Sequence, residues 1–201
     1  MEKPDLLDMT VKDFAGATAA KRPTPGGGSV AGVVGALAAA LGEMSLAFTR
    51  GKPRFAEHAA EHKHLARRLA VTRGMFLDLV ADDAAAYELF RQTKGAGEEG
   101  QVATAVAIDV PREMTKLALA LLEDLRGFLP TSNRRLVSDL VAGAALAEAV
   151  VRISDANVRV NAPGVTDEAG AKEVVESSAA DLEKAAALLA EIAAAAFSAE
   201  Q

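Results

Sequence analysis

Cysteine and tryptophan are absent from this 201-residue chain, and tyrosine occurs once. Without cysteine there is no disulfide, no thiolate nucleophile and no cysteine-held metal, a composition suited to the cytoplasm. Aromatic residues make up only 4% of a sequence that is 50% hydrophobic, so the interior has to be built from Ala, Val and Leu. Excess positive charge is lacking too. The formal net charge of −6 argues against a general nucleic-acid surface, which needs clustered Lys and Arg. The opening Met-Glu-Lys-Pro-Asp-Leu-Leu-Asp has no apolar core of the signal-peptide kind, so export is not expected. Only Val30 to Thr49 is long enough to consider as a membrane span. Glu43 within it and its many Ala and Gly residues predict a buried central helix instead.

Strand-type alternation is missing as well. Apolar residues recur three or four apart, and Gly/Pro punctuation cuts the chain into about six helical segments, near 10–20, 28–50, 54–94, 100–128, 132–161 and 166–198. The breaks at Gly95-Ala96-Gly97 and Pro130-Thr131-Ser132 are short, which predicts antiparallel neighbours. The expectation is an all-α, single-domain antiparallel bundle spanning 1–201, with Thr166 and Glu168 opening the last helix after Pro163-Gly164.

What the chain does have is a glycine run. Pro23-Thr24-Pro25-Gly26-Gly27-Gly28-Ser29 leads directly into the Ala/Gly-rich segment that begins at Val30. Prolines fix the backbone and glycines let it come close to a partner, while the helix start, with Ser29 as a possible N-cap, adds unpaired N–H donors. Gly26 to Ala31 fits the dinucleotide pattern G-x-G-x-x-G/A, but the preceding Thr18 to Thr24 is polar and basic rather than a strand. A phosphate loop of the Walker type would need Lys-Ser or Lys-Thr where Val33-Val34 stand.

Polar residues interrupt two apolar stripes. Between Phe76 and Phe90 the stripe runs Phe76, Leu79/Val80, position 83, Ala86/Tyr87, Phe90, and position 83 is Asp. A carboxylate on a buried face either has partners that fix helix pairing or carries a raised pKa useful for proton transfer. Asp78 and Asp82 turn away towards solvent. The second stripe, Asp139, Gly143, Leu146, Val150, Ile153, Asn157, Val160, carries Asp139 and Asn157 about 27 Å apart along one helix, too far for one compact cluster. Asn157 and Asn161 can instead manage backbone groups near the helix end. His58 and His62 have i, i+4 metal-site spacing, but their strongly charged surroundings and the missing His-Glu-x-x-His pattern favour a solvated helix face, with no metal expected. Lys52, in Arg50-Gly51-Lys52-Pro53, stands at a helix exit, where it either reaches over a pocket mouth or answers the helix dipole.

Pro23-Thr24-Pro25-Gly26-Gly27-Gly28-Ser29, Gly51-Lys52, Asp83-Ala84-x-Ala86-Tyr87, Ser138-Asp139 and Asn157-Val158-Arg159-Val160-Asn161 follow one another in an order that resembles the cyclodeaminase/cyclohydrolase family over nearly the whole chain. The resemblance implies a helical homodimer acting on tetrahydrofolate one-carbon units, with no cofactor beyond the folate substrate. Hydrolysis of 5,10-methenyl-tetrahydrofolate comes first, with ammonia release from the 5-formimino derivative as the alternative. It implies Asp83 and Lys52 as catalytic residues, and Pro25, Gly26, Gly27, Gly28, Ser29, Tyr87, Asp139 and Asn157 as substrate-binding residues. Arg112, Arg134 or Arg135 would meet the glutamate tail. A reading of another class is a non-catalytic folate-binding or interaction module whose buried polar residues only specify packing.

Overall fold

Side chains reduced to hydrogen or methyl determine how the helices of this protein stack. The computed structural model describes residues 6–93 and 97–198. Among them six α-helices occur and no strand: α1 (Val11–Ala19), α2 (Gly27–Ala47), α3 (Ala59–Thr93), α4 (Gly97–Phe128), α5 (Val137–Asn161) and α6 (Glu168–Phe197), joined by short 3₁₀ turns. The all-α expectation and the six segments are met. The expected break at Gly95-Ala96 lies outside the described residues.

Helix α2 is central, packed between α3 and α5. One of its faces, Gly28, Gly32, Gly35, Ala39, Gly42, lies on α3 because these residues take almost no room. A Cβ on Gly32 would come within 2.7 Å of Val80 Cγ2 and 3.0 Å of the Phe76 carbonyl, and one on Gly35 would meet the fully buried Phe76 ring at 2.5 Å. The two helices run antiparallel, with Gly28 at Asp83 and Gly42 at Leu69. On the next face Gly27 lies by Ile153, and Gly143 of α5 lies by the Ala38 carbonyl, so α5 also opposes α2 in direction. Helix α2 is long and apolar enough to cross a membrane, yet half of its most apolar window is buried by these neighbours. Its third face, Val30, Val33, Leu37, Ala40 and Met44, with the C-cap Phe48, is only partly covered among the described residues, and Leu37 and Phe48 are each 55% exposed.

Helices α4 and α6 run side by side in the same direction, pinned by Lys116–Asp181 (2.6 Å), Lys184–Glu123 (2.6 Å) and Arg126–Glu191 (2.9 Å). These pairs are solvent-exposed and each contributes little, about 0–1 kcal/mol. A buried proline makes a stronger demand. Pro111 lies inside α4 and has no N–H to give the Ala107 carbonyl one turn back. The Asn161 side chain, from the last residue of α5, donates to that carbonyl at 2.8 Å. Asn161 thus manages a backbone group, though one on another helix. Asp155 of α5, also buried, accepts from Ser178 of α6 at 2.8 Å and from Arg159 at 2.7 Å.

Two helix starts differ from expectation. Helix α2 begins at Gly27 with Gly26 as its N-cap, so Ser29 is not the cap but lies in the first turn, with its hydroxyl directed to another helix. Helix α6 is capped by Asp167 rather than Thr166, because the Asp167 carboxylate reaches the Ala169 N–H at 3.1 Å. At α5, Ser132 to Leu136 form turns, and the α-helix proper starts at Val137.

Gly32→Ala has to push backbone from backbone, so it should lower the melting temperature, overpacking of about 1–3 kcal/mol exceeding the helix-propensity gain. Gly74→Ala is the control, since nothing lies within 4 Å of its added methyl, and it should stabilise by roughly 0.5–1 kcal/mol. Asn161→Ala leaves the Ala107 carbonyl without its donor and should cost about 1–3 kcal/mol in urea unfolding, a loss absent in a Pro111→Ala background.

Candidate functional site

The stripe of α3 that packs on α2 ends at Asp83, and the packing carries this carboxylate to the first turn of α2. Ser29 Oγ donates to Asp83 Oδ2 at 2.7 Å, and the Ser29 backbone N–H bonds the same carboxylate. A Cβ at Gly28 would overlap the Asp83 carboxylate, so the glycine leaves the carboxylate room in its Ser29-bonded position. An anion at a helix N-terminus is favourable, since the first-turn N–H groups have no intrahelical acceptors and the dipole is positive there. Burial nevertheless prevails and raises the Asp83 pKa above its ordinary 3.8, with the two Ser29 hydrogen bonds acting in the opposite direction. The partner and the raised pKa, alternatives on sequence grounds, occur together. A half-buried carboxylate of this kind, oriented by a hydroxyl, can accept and return a proton.

Around Asp83 lie further residues singled out by sequence. Pro25 is buried, Gly26 caps α2, and Gly27 and Gly28 form its first turn. Tyr87 stands one turn beyond Asp83 and is 42% exposed. Asn157 is one turn past Ile153, whose Cγ2 would be 3.9 Å from a Gly27 Cβ. Beside them is a cavity of about 680 Å³ walled by Leu6, Met9, Pro23, Pro25, Val80 and Ala84, among others.

Lys52, Asp139 and Arg134 belong elsewhere. Lys52 follows Gly51 (φ +74°) past the C-terminus of α2, and Asp139 is in the first turn of α5. Arg134 donates to the Ala196 carbonyl at the end of α6 at 2.9 Å. Because α2 has 21 residues, Lys52 lies about 30 Å from Asp83 in the same chain. Arg112 is midway along α4 beside Asp109.

Sequence reasoning passed over Asn133, which organises the Lys52 end. Its N–H donates to Thr49 Oγ1 at 3.0 Å and its amide to the Phe48 carbonyl at 3.3 Å, while its Oδ1 accepts from Arg54 at 2.7 Å. The available signal was an Asn just after Pro-Thr-Ser, a residue that favours local backbone bonding at turns. His62 is a correction. It is 2% exposed rather than solvated, lying edge-on to Phe128 and 3.1 Å from Thr131 Oγ1, and burial lowers its pKa. The charged residues near it in sequence occupy the other faces of the helix. Among the described residues no group of three His, Asp or Glu side chains is placed to hold a metal ion.

A carboxyl whose native pKa exceeds its unfolded value binds more protons folded than unfolded in the interval between the two. Asp83 therefore contributes stability that declines as pH rises through that interval and is level above it. Asp83→Asn removes this term. The wild-type minus variant unfolding free energy, from urea titrations over about pH 4 to 7, should fall with pH and then flatten.

The formiminotransferase-cyclodeaminase family model matches residues 10–180. The chain is 30% identical over 190 residues to the methenyltetrahydrofolate cyclohydrolase of Methylorubrum extorquens, covering 89% of this chain and 91% of that protein. It is 29% identical over 174 residues to the formimidoyltransferase-cyclodeaminase of Mus musculus, covering 81% of this chain but spanning 32% of the mouse protein. Its fold superposes on the crystal structure of formiminotetrahydrofolate cyclodeaminase from Thermotoga maritima with a TM-score of 0.85 and 29% identity, over 93% of this chain and 96% of that one. By the family model and these matches, the chain belongs to the formiminotransferase-cyclodeaminase family.

Proposed function

We propose that this protein is a cytoplasmic methenyltetrahydrofolate cyclohydrolase, converting 5,10-methenyl-tetrahydrofolate and water to 10-formyl-tetrahydrofolate. The observation that carries the reading is Asp83, a half-buried carboxylate held by Ser29 at the glycine-lined start of α2. Similarity to a cyclohydrolase over nearly its whole length supports the substrate. The methenyl bridge is a cationic amidine, so a carboxylate beside it stabilises the cation and takes the proton of the attacking water. The C–O bond forms to give a carbinol; its carbon–N5 bond then breaks as Asp83 returns the proton to N5, and the carbinol hydroxyl releases its remaining proton to solvent, leaving the formyl group on N10. Ser29 fixes the carboxylate's orientation, and the first-turn N–H groups of Gly27 and Gly28 face the oxygen that enters. Tyr87 and Asn157 flank the same end.

Release of ammonia from 5-formimino-tetrahydrofolate is the second reading, supported by likeness to the Thermotoga maritima structure. N10 then attacks the formimino carbon and releases its proton to solvent, and the bond from that carbon to the imino nitrogen breaks as Asp83 protonates the nitrogen, which leaves as ammonia.

Lys52 and Asp139 enter the site in a homodimer. The partly covered α2 face offers the contact, and a two-fold pairing that lays α2 against its copy in opposite directions brings Lys52 of the partner subunit towards Asp83. Lys52 there orients the folate, and Asp139 holds the pterin.

Asp83→Asn should abolish loss of the methenyl chromophore by roughly 100-fold or more while the far-ultraviolet dichroism is unchanged. Ammonia released from the formimino substrate by the wild type identifies the second activity. Folate binding with neither turnover replaces both by a binding module. Leu37→Asp should give a monomer by light scattering and lose turnover; an active monomer removes the shared site and leaves Asp83 in place.

A further inference from the structure

We infer that the cavity between the N-terminal segment and α3 receives the p-aminobenzoyl-glutamate arm of the folate, with Arg22 as the cation for its carboxylates. The inference rests on the folate reading above and assigns the arm to residues that reading leaves without a part.

The cavity measures about 680 Å³, within the roughly 300–1,000 Å³ usual for small-molecule sites. It lies beside Asp83, with lining residues on α3 both before and after it. Val80, Ala81, Ala84, Ala85 and Glu88 form one wall on α3, and Pro23, Thr24 and Pro25, the residues that lead into the glycine run, form another. Leu6, Leu7, Met9 and Ala17 close it from the N-terminal segment and α1. A molecule with its reacting carbon at Asp83 has this slot beside it, sharing Pro25 as a common wall.

The lining has the chemistry of the arm. A benzoyl ring needs flat apolar walls, and alanines 81, 84 and 85 leave room for one beside Val80 and Pro25. The glutamate that follows carries two carboxylates and needs a cation. Among the described residues Arg22 is the only cation lining the cavity, and its guanidinium has no ion-pair partner there. Glu88 also lines the cavity, but its carboxylate is drawn along α3 to Arg91 at 2.7 Å and Gln92 at 3.0 Å. The arginines favoured on sequence grounds are otherwise engaged: Arg134 donates to the Ala196 carbonyl at 2.9 Å, and Arg112 stands by Asp109.

The test measures kcat and KM of the full-length protein on 5,10-methenyl-tetrahydrofolate and on an analogue whose glutamate is replaced by a methyl amide. Arg22→Gln should raise KM for the glutamate substrate about tenfold with little change in kcat, and should leave the analogue unaffected. Arg22→Lys should recover part of the loss. Ala85→Phe, at an exposed position that tolerates the ring, should raise KM for both substrates because it fills the slot. If Arg22→Gln changes neither KM or both equally, or Ala85→Phe changes neither, the assignment is overturned while the Asp83 chemistry stands. If the wild type turns over no folate, binding of 5-formyl-tetrahydrofolate by calorimetry decides. Arg22-dependent binding upholds the arm site and removes the cyclohydrolase reading, and no binding removes both.

Discussion

The closeness of α2 to α3 is the constraint on which the rest of this structure depends. At Gly28, Gly32 and Gly35 the helix backbone itself is the packing surface, touched by a carboxylate, a valine and a phenylalanine ring. Were α2 held away by ordinary side chains, Asp83 would stop short of Ser29 and become an unpartnered carboxylate in an apolar stripe, an arrangement that folding penalises. Close approach turns the same residue into a capped, oriented group at a helix start. Stability and the chemistry proposed for Asp83 therefore draw on one contact.

The fold was legible because its signals are periodic and redundant. Long stripes at three- and four-residue spacing survive local errors, so six segments could be counted even where their ends moved by several residues, as at α5. Helix starts were less legible because they depend on which of several polar neighbours wins. Asp167 displaced Thr166, and Ser29 gave its hydroxyl to Asp83, 54 residues away. His62 misled for a related reason: a helix dense in charge still has one inward face, and composition averages over all of them.

The site was half legible. Asp83 stood out because a lone carboxylate breaks a clean stripe, and the glycine run because nothing else in the chain resembles it. What the sequence did not contain was which end of the bundle each motif would occupy. Lys52 and Asp139 lie at one end of α2 and Asp83 at the other, a separation set by helix direction rather than by any local pattern. Arg22 gave no signal at all, since a basic residue before a proline is ordinary; its interest comes from the cavity lined by the N-terminal segment, the Pro23–Pro25 stretch and α3.

The bond between Asn161 and the Ala107 carbonyl has a geometric consequence for this end of the molecule. A proline creates one vacancy on an otherwise uniform helix, and only one side chain fills it, so α5 and α4 can slide past each other in only one register without leaving a dry carbonyl. Asn157 sits one turn before Asn161 on α5. Its height beside the start of α2 is thus indexed to a defect in α4, which works as a notch that aligns the third helix of the candidate site without touching it.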